Sequence, residues 1–184
     1  MTPRLKEKYI KEVIPEMRKE FGYKNNMAVP AITKVVVNAG LGNILRDSKD
    51  DFKKIEQDMT NILGQKPVVT KAKKAIAGFK IREGMPVGLT AILRGAKMYE
   101  FIDRLINIAL PQVRDFRGLS KKAFDRNGNF NIGIKEHLIF SEVNKDTIKN
   151  IIGFEVNITT TAKTDEEAYK LLKLLGFPIV DKIE

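Results

Sequence analysis

The 184-residue chain has no cysteine, which excludes disulfides, thiol catalysis and cysteine-ligated zinc and is compatible with a reducing cytoplasm. It has one histidine, His137, beside Glu136 in strand-like sequence; alone it makes a poor metal site and reads as structural. No apolar run approaches the roughly 20 residues that cross a bilayer. The opening MTPRLKEKYIKEV is charged throughout and lacks the apolar centre of a secretory signal. A soluble, intracellular protein is expected. Catalytic motifs are also missing: there is no G-x-x-x-x-G-K-[ST] phosphate loop, H-E-x-x-H zinc pair or G-x-S-x-G nucleophile turn. The paired acids Asp50–Asp51 and Glu166–Glu167 fall in first turns of expected helices, where the helix dipole and free N–H groups account for them. Nothing in the sequence argues for catalysis, a cofactor or a metal.

Acids are scarce where bases gather. The formal charge is +10 and the pI about 9.7, which points to a polyanionic partner. The stretch from Gly64 to Gly95 carries Lys66, Lys71, Lys73, Lys74, Lys80, Arg82 and Arg94, with Glu83 its only acid. A solvated helix face would mix acids among its lysines to relieve repulsion. Here the negative charge has to come from outside, and a nucleic-acid backbone supplies it with release of counterions. Phe79 adds a surface on which an unpaired base could stack.

Taken in order, residues 4–21 read as a helix with Leu5, Tyr9, Val13 and Phe21 on one face. Gly22 ends it, and Pro15 should kink or split it. Its bases outnumber its acids, which suits either a solvated or a phosphate-contacting face. AITKVVVN (31–38) is strand-like and runs into AGLGN. Gly40 and Gly42 begin a dinucleotide fingerprint that fails at Leu45, so they read as a turn or a close backbone approach to a ligand. Ser48 with Asp51 should cap a helix with Phe52, Ile55, Met59, Ile62 and Leu63 inward, stopped by Gly64. VGLTAILR (87–94) alternates as a strand, with Val87, Leu89, Ala91 and Leu93 on one side. A helix should follow from about Lys97, with Met98, Phe101, Ile102, Leu105 and Ala109 buried and Pro111 at its end. Asn127–Gly128 fits a hairpin turn, and FNIGIK (130–135) and HLIF (137–140) read as strand material. FEVNITTTAK (154–163) is a strand with Phe154, Val156, Ile158 and Ala162 inward. Thr164 and Glu167 form a capping box for a last helix that buries Ala168, Leu171, Leu172 and Leu175 before Gly176.

No repeat or composition shift divides the chain, so residues 1–184 are expected as one domain, with the helix 4–21 packed on the core and a basic loop at about 71–86. The fold class is α+β: a mostly antiparallel sheet with helices on one face and an open polar face as an RNA platform. Generic RNA-binding signatures, the RNP motif and the KH G-x-x-G, are absent. The residues alone therefore support an α+β protein that binds RNA or another polyanion. An RNA-modifying or nucleotide-dependent enzyme with a basic surface is the alternative, together with a basic protein on anionic membranes.

GQKPVVTKAKKAIAGFKIREGMPVG, LRG-x-x-M-x-x-F, RDFRGLS, FDRNGNFNIGIKEHLIF and ITTTAKTDEEAYKLL occur in that order. Together they resemble the bacterial form of the large-subunit ribosomal protein L-five family, over essentially the whole chain. The resemblance implies a split-βαβ-like core and a non-catalytic, cytoplasmic role in the ribosome. It implies binding of 5S ribosomal RNA and its attachment to the large ribosomal RNA in the central protuberance, beside other 5S-binding proteins. It also implies contact with peptidyl-site tRNA and, through an intersubunit bridge, with a small-subunit head protein. Carried over by residue, the 5S contacts fall on Asn38, Gln65 and Thr90, short polar groups suited to sugar, base-edge and backbone hydrogen bonds. Lys66 and Arg94 join them as phosphate contacts by charge and proximity in sequence. The tRNA-facing loop falls on Lys71, Lys73, Lys74, Phe79, Lys80 and Arg82. The bridge falls on the segments around RDFRGLS and 136–150.

Overall fold

The computed structural model describes residues 2–42, 49–143 and 150–180. Its centre is a five-stranded sheet of β1 (Ile32–Gly40), β2 (Val68–Lys71), β3 (Pro86–Leu93), β5 (Phe130–Ile134) and β6 (Phe154–Thr160). The spatial order is β2-β3-β1-β6-β5, with every neighbouring pair antiparallel. β1 and β2 therefore run in the same direction with β3 inserted between them. Their connection is helix α3 (Lys49–Leu63), so the unit is the expected split βαβ.

Alternation decides which face is covered. Val35, Val37 and Ala39 of β1, Leu89, Ala91 and Leu93 of β3, and Val156 and Ile158 of β6 are all buried. They meet the apolar stripes of α3, α4 (Gly95–Arg104) and α5 (Asp165–Leu175), including Ile55, Met59, Phe101, Ile102, Leu171 and Leu172. Each of these valine, leucine, isoleucine, methionine and phenylalanine side chains contributes about 1.5–3 kcal/mol by leaving water. Phe140 ties the layers together, with its ring 6.1 Å from Phe101 and 5.8 Å from Phe154. Arg104 pairs with Glu142 and donates to the Ile62 carbonyl at 2.8 Å, locking α4 to the end of α3.

The N-terminal helix is not split. It runs as α1 (Arg4–Lys8), a wider turn at Tyr9–Val13, then α2 (Ile14–Phe21). Pro15 has no N–H to donate back, and its ring crowds the carbonyl four residues earlier, so the preceding turn widens instead of breaking. The same device precedes Pro111, where α4 continues through a wide turn at Leu105–Ala109 into Leu110–Gln112. The expected stops hold: Gly22, Gly64 and Gly176 all have positive φ. Thr164 accepts from the Glu167 N–H at 3.3 Å, and the Glu167 carboxylate accepts from the Lys163 N–H at 2.9 Å, one residue ahead of the box.

Several expectations need correction. HLIF is not a strand: His137–Ile139 is one tight helical turn. Gly40 lies in β1 opposite Gly88, while Gly42 is in a turn. α4 starts at Gly95, ahead of Lys97. Ala162 is buried but lies beyond the end of β6. The Asn127–Gly128 turn is present, built on Asp125, whose carboxylate accepts from the N–H groups of Asn127 and Asn129. The cap expected at Ser48 lies outside the described residues. A short parallel pair, β4 (Leu119–Ser120) with β7 (Ile179–Val180), has no counterpart among the sequence expectations.

Candidate nucleic-acid interface

The face of the sheet opposite the helices presents a mostly uncharged surface. Cross-strand register fixes its rows. One row runs Val68–Thr90–Asn38–Glu155–Gly133, and the next runs Ile92–Val36–Asn157–Asn131. Asn38 and Thr90, more than 50 residues apart in sequence, are thus direct neighbours. The Thr90 hydroxyl donates to the Val37 carbonyl at 3.2 Å, so its oxygen remains an acceptor toward the open side. Asn38 is exposed.

Gln65 comes from elsewhere but ends in the same place. It follows the Gly64 stop of α3, and its side-chain N–H donates to the Ile92 carbonyl at 3.4 Å. That anchor leaves its amide oxygen and second N–H for a ligand. Lys66 is exposed, its Nζ 3.3 Å from Glu56 of α3, and such a solvent-exposed pair is worth under about 1 kcal/mol. Its ammonium is held at the margin of the face at little cost to its release. Arg94 continues the β3 alternation through positions 90 and 92 with an extended backbone, φ −141° and ψ 162°, and is exposed. Asn38 and Thr90 therefore lie side by side on the open face and Gln65 is bonded to the adjoining row at Ile92, while Arg94 extends β3 beyond its pairing with Val35 and Lys66 leans on α3. Sequence reasoning left out the exposed apolar groups among them: Val68 and Ile92 are 66% and 47% exposed.

The basic loop is an extension of the β2–β3 hairpin. Ala72 N–H donates to Met85 O at 2.8 Å and Gly84 N–H to Ala72 O at 2.9 Å. Further out, Ile76 and Ile81 exchange both backbone bonds, at 2.9 and 3.2 Å, and Ala77–Phe79 makes a tight turn closed by Lys80 in a left-handed conformation. These bonds make a finger. Lys71, Lys73, Lys74, Lys80 and Arg82 are all exposed along it, and the tip shows Ile76 and Phe79, the latter 59% exposed. The finger grows out of β2 and β3, the strands that also carry Val68 and Thr90 of the open face.

His137 is fully buried, away from both. Its Nδ1 accepts from the Ile152 N–H at 3.2 Å, so the neutral ring carries its proton on Nε2, which has no partner among the described residues. Burial pushes its pKa down, opposed by the charge of Asp58 on α3. Of the segments assigned to the bridge, 114–118 leads into β4 with Asp115 in a left-handed conformation at φ 52°, and 144–149 lie outside the described residues. Among the described residues no group of three or more His, Asp or Glu is placed to hold a metal, and no helix is long and apolar enough to cross a membrane.

Comparison with known proteins agrees along the chain. A family model described as "Ribosomal protein L5" matches residues 25–82, and one described as "ribosomal L5P family C-terminus" matches residues 86–179. The proteins named "Large ribosomal subunit protein uL5" from Geotalea uraniireducens and Ralstonia pickettii are 54% and 55% identical to it. The alignments cover 95% and 97% of this chain and 97% and 98% of those proteins. That of a Thermoanaerobacter species is 56% identical over 178 residues. The sheet takes β1 and β2 from the first matched segment and β3, β5 and β6 from the second, and the finger spans the junction; the chain belongs to the ribosomal protein L5 family.

Proposed function

We propose that this chain is a structural, non-catalytic constituent of the large ribosomal subunit, working in the cytoplasm as one domain, residues 1–184. Its open sheet face binds 5S ribosomal RNA through Asn38, Gln65 and Thr90, with Lys66 and Arg94 on phosphates. In the same reading it helps attach 5S RNA to the large ribosomal RNA in the central protuberance, next to other 5S-binding proteins. The basic finger reaches peptidyl-site tRNA, and the segments near 114–120 and 136–150 meet a small-subunit head protein. The observation that carries the reading is the direct pairing of Asn38 with Thr90 on an uncovered face, with Gln65 anchored to the adjoining row.

Such a face recognises by hydrogen bonds and shape, with few cations of its own: the strands contribute only Lys34 and Lys71. Binding should therefore favour one folded RNA and survive salt better than binding by charge alone. The test is affinity for 5S RNA against an unrelated folded RNA at two salt concentrations. Asn38→Ala and Thr90→Ala should each lower 5S affinity about fivefold, the loss of one net hydrogen bond, with unchanged circular dichroism. Equal binding to both RNAs, collapsing with salt, would refute the assignment.

A further inference from the structure

We infer that the other half of the open face, on β6 and β5, reads hydrogen-bond donors of the bound RNA through the Glu155 carboxylate and the bare backbone at Gly133, an inference that rests on the RNA reading of the Asn38–Thr90 half. Glu155 is the only acid in the five strands of the sheet, it is exposed, and its cross-strand neighbour is Asn38. In a chain of formal charge +10, an acid beside Asn38 on the binding face opposes any phosphate laid against it. The favourable contact it can make with RNA is to accept a hydrogen bond. The donors that base-paired RNA leaves free are 2′-hydroxyls and the exocyclic amino groups of its bases.

The carboxylate is held for that purpose. Asn157 Nδ2 donates to Glu155 Oε1 at 3.0 Å and to Asn131 Oδ1 at 2.7 Å, and Asn131 Nδ2 reaches the Ala123 carbonyl at 3.5 Å. Both protons of the Asn157 amide are thereby used. Glu155 Oε2 and Asn157 Oδ1 remain as two acceptors side by side on neighbouring rows.

The glycines of this face give an independent indication. Gly88 is demanded by the fold, since a Cβ there would lie 2.6 Å from the Ala39 carbonyl oxygen. Gly133, the cross-strand neighbour of Glu155, is not: its φ is outside the left-handed region and a Cβ would meet nothing within 4 Å. Gly40, two residues beyond Asn38 on β1, is equally unconstrained. Glycine inside a strand forfeits backbone entropy and packing, and where the fold does not require it, it leaves room for another molecule's backbone to approach closely. Two such positions flank the Asn38–Glu155 pair.

The full chain is tested with 5S RNA and an unrelated folded RNA of equal length. Glu155→Gln should raise affinity for the unrelated RNA and lower it for 5S, cutting the selectivity ratio at least fivefold. Glu155→Asp, which keeps the charge and loses the reach, should lower 5S affinity and leave the unrelated RNA unchanged. Gly133→Ala should keep or raise the thermal midpoint while weakening 5S binding about tenfold. Selective 5S binding by the wild type with equal gains for both RNAs in Glu155→Gln would reduce the acid to simple repulsion and overturn this inference alone. Full 5S affinity in Gly133→Ala would overturn it as well. A wild type without 5S selectivity would overturn the proposed function first. 5S RNA with 2′-deoxy substitutions, or with inosine for guanosine, separates the donors: the change whose effect disappears in Glu155→Gln identifies the group read, and additivity of both with the variant counts against the idea.

Discussion

His137 sets a pH dependence whose sign and size follow from its burial. In the unfolded chain its imidazole takes up a proton near pH 6.5; in the folded protein burial pushes that pKa down, against the charge of Asp58, and Nδ1 accepts from the Ile152 N–H. Below pH 6.5 the unfolded state therefore binds more protons than the folded state, and stability falls with pH. The titration of the unfolded imidazole caps the loss between pH 7.5 and 5.5 at RT ln 10, about 1.4 kcal/mol. Asp58 works in the opposite direction. Its carboxyl pKa is raised by burial, against the pull of His137, so its folded form takes up a proton more readily as pH drops. The measurement is urea unfolding by circular dichroism at pH 7.5, 6.5 and 5.5 and constant ionic strength. It is made on wild type and His137→Asn, the latter keeping an acceptor for Ile152, and repeated in an Asp58→Asn background. His137→Asn should be less stable at pH 7.5 and should lose less than the wild type on acidification. Parallel curves for the two proteins in the Asp58→Asn background would refute the reasoning.

Replacing Lys71, Lys73 and Lys74 together by Gln should spare 5S binding and weaken binding to tRNA. The slope of log affinity for tRNA against log salt should become shallower by about 2–3, close to one for each phosphate no longer neutralised. An equal drop in 5S affinity would mean that finger and face are one surface. Thr164→Ala removes the side-chain acceptor at the start of α5 and should lower the urea midpoint by an amount corresponding to about 1 kcal/mol, with RNA binding unchanged at low denaturant.

Local signals in the sequence suffice for the parts of the fold that are locally determined. Strict alternation marks β3, and the cap at Thr164 and stop at Gly176 frame α5, because capping and termination are settled within one helical turn. HLIF misleads because a short, largely apolar run fits a strand or a buried turn equally well; the Phe140 N–H, donating to the His137 carbonyl at 3.2 Å, closes the turn. The density of lysines around VVTK draws attention to charge and hides β2, whose evidence is its partner β3. The pairing of β4 with β7 joins two-residue segments 60 residues apart and leaves no local trace. For the candidate site, the resemblance selects Asn38, Gln65 and Thr90 one at a time. That they touch one surface is a matter of cross-strand register, which only the assembled sheet specifies. Glu155 escapes a reading of the sequence because a lone acid in a strand looks ordinary until its neighbours are known.

β1 lies between β3 and β6, and Val35 on it faces Leu93 on one side and Ile158 on the other. During synthesis β1 emerges early, yet its second edge stays open until residues around 154–160 have been made. Contacts of such long range slow folding, and they leave a valine-rich edge exposed to other chains in the meantime. The same geometry means that the row Thr90–Asn38–Glu155 does not exist in a partly made chain. An RNA that requires the whole row will ignore unfinished copies, so recognition doubles as a check that the sheet is closed.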